Sequence, residues 1–285
     1  VFHVENILRR IFLFWHDILF CMEESPTNKQ ERNINKDEQT FLEAISAISI
    51  KEIPTIFDGL AVQKLTNNLE STKLFILGEM HGVKENVNII YTLFKKFGFR
   101  RLALEWEPKL KDVIEKFLES GELNFDTIKD SSDGRITAGH FALIKKLKSE
   151  GMLEHVVCFD EGSEAEWNKR DLNMARNILA NLSDTPTLAV VGNLHAKMEP
   201  ITFEDETGQQ HPMGENIKKG IPTISSGKIE YLTGQFHNFG TQEFGKLSEE
   251  DILSEARFYQ DENGIYTFEL PEAHIATVPN PDERI

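Results

Sequence analysis

The sequence predicts an α/β fold, a mostly parallel central sheet flanked by helices, with antiparallel C-terminal strands. Two observations carry the parallel part. Short, nearly continuous apolar runs recur at Leu74–Gly78, Leu102–Glu105, Val156–Asp160 and Thr187–Gly192, the length and character of strands buried on both faces. Between them lie stretches with helical periodicity, and strand–helix–strand alternation means parallel strands joined by crossovers. A third observation concerns the end of the chain. Pro222–Tyr231, Arg257–Tyr259 and Ile265–Leu270 are short strand candidates at turn-rich spacing, which suits an antiparallel extension.

The elements follow in order. Ile7–Met22 is apolar but interrupted by His16 and Asp17, and it is too short to span a bilayer. No small-residue cleavage site follows Met22. Three readings stand for it: an amphipathic docking helix, a weak membrane anchor, or sequence translated ahead of a start at Met22. Residues 23–40 are charged and almost free of apolar side chains, so they read as a solvated linker. The expected organisation is a segment and linker over 1–40 and a single α/β domain over 41–285, starting with a helix from about Phe41 to Ile50. After the first strand, Val83, Val87, Ile90, Phe94 and Phe97 keep one helical face apolar, and Gly98 is placed as a left-handed cap. Helices are expected from Lys109 to Glu119 and from Gly139 to Glu150. Ser163 and Glu166 have the spacing of a capping box for a helix to about Leu182.

With 31 basic and 47 acidic residues, the net charge of −16 argues against nucleic acid and anionic membrane surfaces, because both bind through Lys and Arg. Cys21 and Cys158 are too few for a disulfide framework. Cys158 lies in an apolar run and reads as a buried thiol. A reducing, cytoplasmic setting is expected, with no transmembrane segment.

Ligands of an open parallel sheet bind beyond the carboxyl ends of its strands. The first strand ends in Gly78-Glu79-Met80-His81-Gly82, the second in Glu105-Trp106-Glu107, the third in Asp160-Glu161-Gly162 and the fourth in Gly192-Asn193-Leu194-His195. Any one acid at a strand end is ordinary surface polarity. Together they indicate a site built from Glu79, His81, Glu105 and His195. Gly78 and Gly82 would let the backbone turn and a ligand approach closely, and the loop would open directly into a helix N-terminus that favours negative charge.

Arg170 joins these residues. It lies three after Trp167 and four before Met174, on a stripe continued by Ile178 and Leu182, so it projects near the buried face. A buried guanidinium needs a carboxylate. That partner is either Glu79 or Glu105, in a clamp, or a group on the substrate. His140 shares a stripe with Leu143, Ile144 and Leu147 and reads first as a hydrogen-bonded core residue. His211, His237 and His274 sit in turn-rich sequence and receive no role. The chain has no P-loop, no Gly-x-Ser-x-Gly elbow, no His-Glu-x-x-His helix and no dinucleotide fingerprint.

Gly78-Glu79-Met80-His81-Gly82, Leu104-Glu105, Arg170-Asp171-x-x-Met174-Ala175, Gly192-Asn193-x-His195-Ala196 and Met213-Gly214 occur in an order that resembles the erythromycin esterase-like superfamily. The ChaN-type haem-binding and the Tiki- and TraB-type metalloprotease-like families look like its more distant relatives. The resemblance spans roughly Leu74 to Gly227. It implies an α/β fold with the site at the strand ends, and a loop histidine acting as general base with glutamates beside it. Here that loop is one residue shorter than in the esterase branch, closer to the haem-binding and metalloprotease branches.

The expected function is a hydrolase of an ester, lactone or amide, with a small-molecule or peptide substrate. His81 would be the general base, since imidazole titrates near working pH. Glu79 or Glu105 would fix its tautomer. His195 would polarise the substrate or protonate the leaving group, and Arg170 would hold carboxylates or an anion. Two alternatives stay open: a divalent-metal-dependent protease or hydrolase, and a non-catalytic haem- or ligand-binding protein. A cofactor is accordingly either none or a divalent metal.

Overall fold

The computed structural model describes residues 36–162, 166–203, 208–244 and 255–280. The apolar segment at residues 1–22, most of the polar run after it and Ser163 of the expected capping box lie outside the described residues. The chain begins with α1 (Lys36–Ala47), β1 (Thr55–Phe57), α2 (Gly59–Thr72), β2 (Leu74–Glu79) and α3 (Asn86–Phe97). It continues with β3 (Arg101–Leu104), α4 (Leu110–Ser120), α5 (Ala138–Ser149), β4 (His155–Cys158), α6 (Trp167–Ala180) and β5 (Thr187–Gly192). The last part holds α7 (Met213–Gly220), β6 (Ser225–His237), β7 (Thr241–Glu243), β8 (Ala256–Gln260) and β9 (Tyr266–Ala273).

The strands form one nine-stranded sheet in the order β1-β8-β9-β6-β2-β5-β3-β4, with β7 paired to β6. Side chains alternate across it, as the pleat requires. Leu74 and Ile76 of β2 enter an apolar cluster with Met174, Ile178, Met213 and Ile217 of α6 and α7. Phe75 and Leu77 enter the larger cluster on the opposite face, with residues of α1 to α5 such as Phe41, Leu65, Ile90, Val113 and Phe141. The central strand β2 is paired in parallel on both sides, to β5 and to β6. Both faces and both edges of β2 are thus covered, which is why its sequence is almost wholly apolar.

The predicted strands and helices around the motifs are present, with Gly98 left-handed at φ 68 and accepted as the cap of α3. The C-terminal expectation holds in two pairs. β8 runs antiparallel to β9 and β7 antiparallel to β6, whereas β9 joins β6 in parallel and β1 joins β8 in parallel. The first helix starts at Lys36, ahead of the expected boundary at residue 41, because Phe41 and Ile45 anchor it in the core while its first turn stays polar. α3 begins at Asn86 rather than near Val83, since Val83 bridges to Ile275 instead. Burial of Cys158 pushes its thiol up to about 12, in keeping with a structural thiol. Among the described residues no helix is long and apolar enough to cross a membrane.

Candidate functional site

The parallel register decides what meets at the sheet edge. Glu79 of β2 pairs with Gly192 of β5, and Leu104 of β3 pairs with both Val190 of β5 and Cys158 of β4. Four neighbouring strands therefore end side by side. Glu79, Glu105, Asp160 and His195 follow from those ends, and His81 lies two residues beyond β2. The five residues predicted for the site come together.

His81 stands between two carboxylates. Its Nδ1 is 3.2 Å from Glu79 Oε1, and its Nε2 is 3.6 Å from Glu105 Oε2. Glu79 is itself held, because Asn86 Nδ2 donates to Glu79 Oε2 at 2.9 Å and Tyr231 Oη donates to Asn86 Oδ1 at 2.5 Å. Burial alone would lower the His81 pKa. The hydrogen bond with Glu79 and the charges of Glu105, Glu79 and Asp133 outweigh it, so the pKa is raised above 6.5.

Glu105 is the hub. Its Oε1 accepts from Arg170 Nη2 at 2.6 Å, and its Oε2 accepts from the Gly192 amide at 2.8 Å. Burial would raise its pKa, but His81, His195, Arg135 and Arg170 more than reverse that and hold it at about 2. Arg170 also donates to Asp160 through Nε (3.2 Å) and Nη2 (2.7 Å). The clamp foreseen for Arg170 is thus on Glu105 and Asp160, not on Glu79. A second guanidinium, Arg135, reaches Asp160 at 2.9 Å and Glu105 at 3.5 Å, and is itself held by Asp133.

His195 is fixed differently. Its Nδ1 lies 2.8 Å from Asp171 Oδ1, and Asp171 Oδ2 accepts from the Met213 amide at 2.7 Å. The Trp167 ring stacks on it with centroids 4.5 Å apart. A proton on Nδ1 leaves Nε2 as an acceptor facing Arg170 Nη1 at 3.4 Å.

Arg135, Asp160 and Asp171 are functional neighbours that site prediction left out. Asp171 had a signal, because it shares the buried stripe of α6 with Met174 and Ile178. Asp160 stood at a strand end without a partner to single it out. Arg135 lies in a turn-rich stretch with no periodic pattern. His140 is the core residue expected. It is bonded to Thr137 Oγ1 at 2.9 Å, set edge-on to Trp106, and its pKa is lowered by burial. Gly78 serves packing rather than ligand approach, since a Cβ there would lie 2.7 Å from Asn193 Oδ1. The helix N-terminus expected beside His81 is displaced along the chain with the start of α3.

Two spaces adjoin these side chains. One, of about 10 Å³, is lined by Glu79, His81, Glu105, Arg135 and His140, among others, and is about the size one water needs. The other is a cleft of about 230 Å³ whose lining includes Glu105, Glu107, Lys109, Asp133, Arg135 and Asp160. Glu105, Trp106 and Arg135 belong to both. Among the described residues no three or more His, Cys, Asp or Glu side chains are grouped to hold a metal ion.

No family model and no curated protein matches the chain. Among solved structures it is similar to one described as a succinoglycan biosynthesis protein, at 8% identity and a TM-score of 0.54. It is also similar to a protein from Bacillus cereus, at 10% identity and a TM-score of 0.55. Each match covers 84% of this chain and 98% of the other. Likeness at this identity shows a shared fold alone.

Proposed function

We propose that this protein is a hydrolase of an ester, lactone or amide, with His81 as general base, in the manner of the erythromycin esterase-like proteins its motifs resemble. The observation that carries the reading is the placement of His81 beside a water-sized cavity, with a buried carboxylate on each ring nitrogen. Glu79 accepts a hydrogen bond from Nδ1–H, so the Nε2 lone pair faces Glu105. Two acceptors 3.6 Å apart make no bond with each other, and a water in the adjoining cavity can donate to the Nε2 lone pair. His81 takes a proton from that water as its oxygen attacks the carbonyl carbon. The carbon–oxygen or carbon–nitrogen bond then breaks, and the leaving group takes the proton from His81. Arg170 and Arg135 keep Glu105 ionised throughout.

The residues present fit neither alternative group well. Guanidinium and amide donors occupy the Glu105 and Asp160 oxygens that a divalent ion would need. The cleft is lined mostly by charged and polar residues, which suits a haem poorly, and it falls below the roughly 300–1,000 Å³ of most small-molecule sites.

The test is hydrolysis of a panel of esters, lactones and peptides by wild type and His81→Ala. Loss of about 10²–10⁴-fold is expected. Undiminished turnover in the variant would sink the assignment.

A further inference from the structure

Nothing in the sequence pattern around His237 marks it, and the reaction proposed above does not use it, yet its side chain is buried. It closes β6 where two loops of the site cross. Its backbone N–H donates to the Gly82 carbonyl at 3.3 Å, and the Gly82 N–H donates to the Gly134 carbonyl at 3.0 Å. Its ring Nε2 donates to the Ser132 carbonyl at 2.8 Å, which fixes a proton on that nitrogen because a carbonyl only accepts. The crossing is tight. A Cβ on Gly82 or on Gly134 would collide with the His237 carbonyl oxygen, and both glycines have positive φ, 70 and 82.

The two loops pinned there carry the proposed base and one guanidinium of its carboxylate network. His81 immediately precedes Gly82, and Arg135 immediately follows Gly134. Asp133, whose charge acts on His81, lies between Ser132 and Gly134. The water-sized cavity is lined by His81 and Arg135 from these separate loops, so its shape depends on how the loops are set against each other. Trp106 Nε1 also donates to the Arg135 carbonyl at 2.8 Å, but that bond ties the loop to the end of β3, not to the His81 loop.

We propose that His237 is a positioning residue for the site: by donating to Ser132 while its backbone grips Gly82, it sets the Asp133–Arg135 loop against the His81 loop. As a part in catalysis this rests on the hydrolase reading, whereas the placement itself does not.

His237→Asn and His237→Gln separate the idea from general stability. Gln carries its amide nitrogen about where Nε2 stands, and Asn falls short of Ser132. In the Asn variant kcat is expected to fall about 10²-fold, as misplacement of about 1 Å can cause, with KM little changed, and the Gln variant should recover most of it. NMR titration of His81 gives a readout that needs no turnover. Its raised midpoint should move down in the Asn variant, as Asp133 is released, and return in the Gln variant. Equal His81 midpoints in all three proteins would overturn the proposal. If the Asn variant does not fold, Gly134→Ala strains the same crossing from the other loop. An unmoved His81 midpoint there, or failure of that variant to fold as well, also overturns it, because the crossing would then serve the fold alone. A wild type without hydrolytic activity, but with His81 shifted in the Asn variant, would sink the hydrolase reading and leave the positioning role standing.

Discussion

His81 and His195 follow neighbouring, in-register strands, yet their surroundings differ. His81 is reached by carboxylates from both ring nitrogens and borders open space on one side. His195 has the completely buried Asp171 bonded at Nδ1 and Glu105 no nearer than 3.9 Å from Nε2, and its ring is covered by Trp167. The first arrangement stabilises an imidazolium and so suits a group that must accept a proton and hold it. The second fixes a tautomer and leaves one nitrogen for a single task. The same side chain thus gains two chemistries from its neighbours, and the comparison can be broken or sharpened at each of them.

The largest effect should come from Arg170, which faces His195 directly and reaches His81 only through Glu105. Arg170 supports Glu105 and Asp160, whose side chains are 4% and 2% exposed. Arg170→Ala leaves both charges with Arg135 as their remaining guanidinium and should cost about 1–3 kcal/mol of stability, read by denaturant unfolding. Because Glu105 is held at about 2 in the fold against an ordinary 4.5, its ionised form stabilises the protein above about pH 4.5. That contribution disappears as the pH falls toward 2. Acid unfolding of Arg170→Ala should therefore begin at a higher pH than in wild type. Coincident curves would show that the pair contributes nothing.

Asp171→Asn should affect the His195 side alone. An amide turned to accept from the Met213 N–H presents its NH₂ to His195 Nδ1, driving the ring proton onto Nε2, where it faces the Arg170 donor. A loss of about 10²-fold in kcat is expected, with the His81 titration unchanged. A shift at His81 of comparable size would mean that the two histidines are one coupled unit.

Glu79→Gln is the mildest change. The raised His81 pKa predicts that the ascending limb of kcat/KM lies above pH 6.5, since the base must be neutral to act. Removing the Glu79 charge lowers the pKa, so the limb should move to lower pH, with stability changed by less than in Arg170→Ala. A limb that stays in place would assign it to another group.

Much of this was legible before any coordinates. The apolar runs gave the central strands, and the residues just past them gave the site, because a parallel sheet fixes where its strand ends lie. Arg170 was found by asking what a charge does on an apolar stripe. Asp171 yields to the same question, since it shares that stripe with Met174 and Ile178. α2 was legible too. Asp58 caps it, accepting from Leu60 and Ala61, and Ala61, Leu65 and Leu69 recur at steps of four on its buried face. β1 has only three residues, too few for any period. Arg135 and His237 belong to loops, and their importance arises from chain crossings between segments far apart in sequence. The parallel pairing of β9 with β6 is hidden for the same reason, because strand composition does not record the neighbour's direction.

The position of β2 between β5 and β6 has a consequence for the growing chain. Leu74–Glu79 leaves the ribosome long before either partner strand, Thr187–Gly192 or Ser225–His237, has been made. Until then both hydrogen-bonding edges of a highly apolar strand lack the pairing they have in the native sheet, the condition that favours association with other chains. Such sequence-distant pairing is also slow to form. Synthesis that pauses before residue 187 would therefore leave an aggregation-prone chain in need of a chaperone, and the site would be among the last parts of the molecule to assemble.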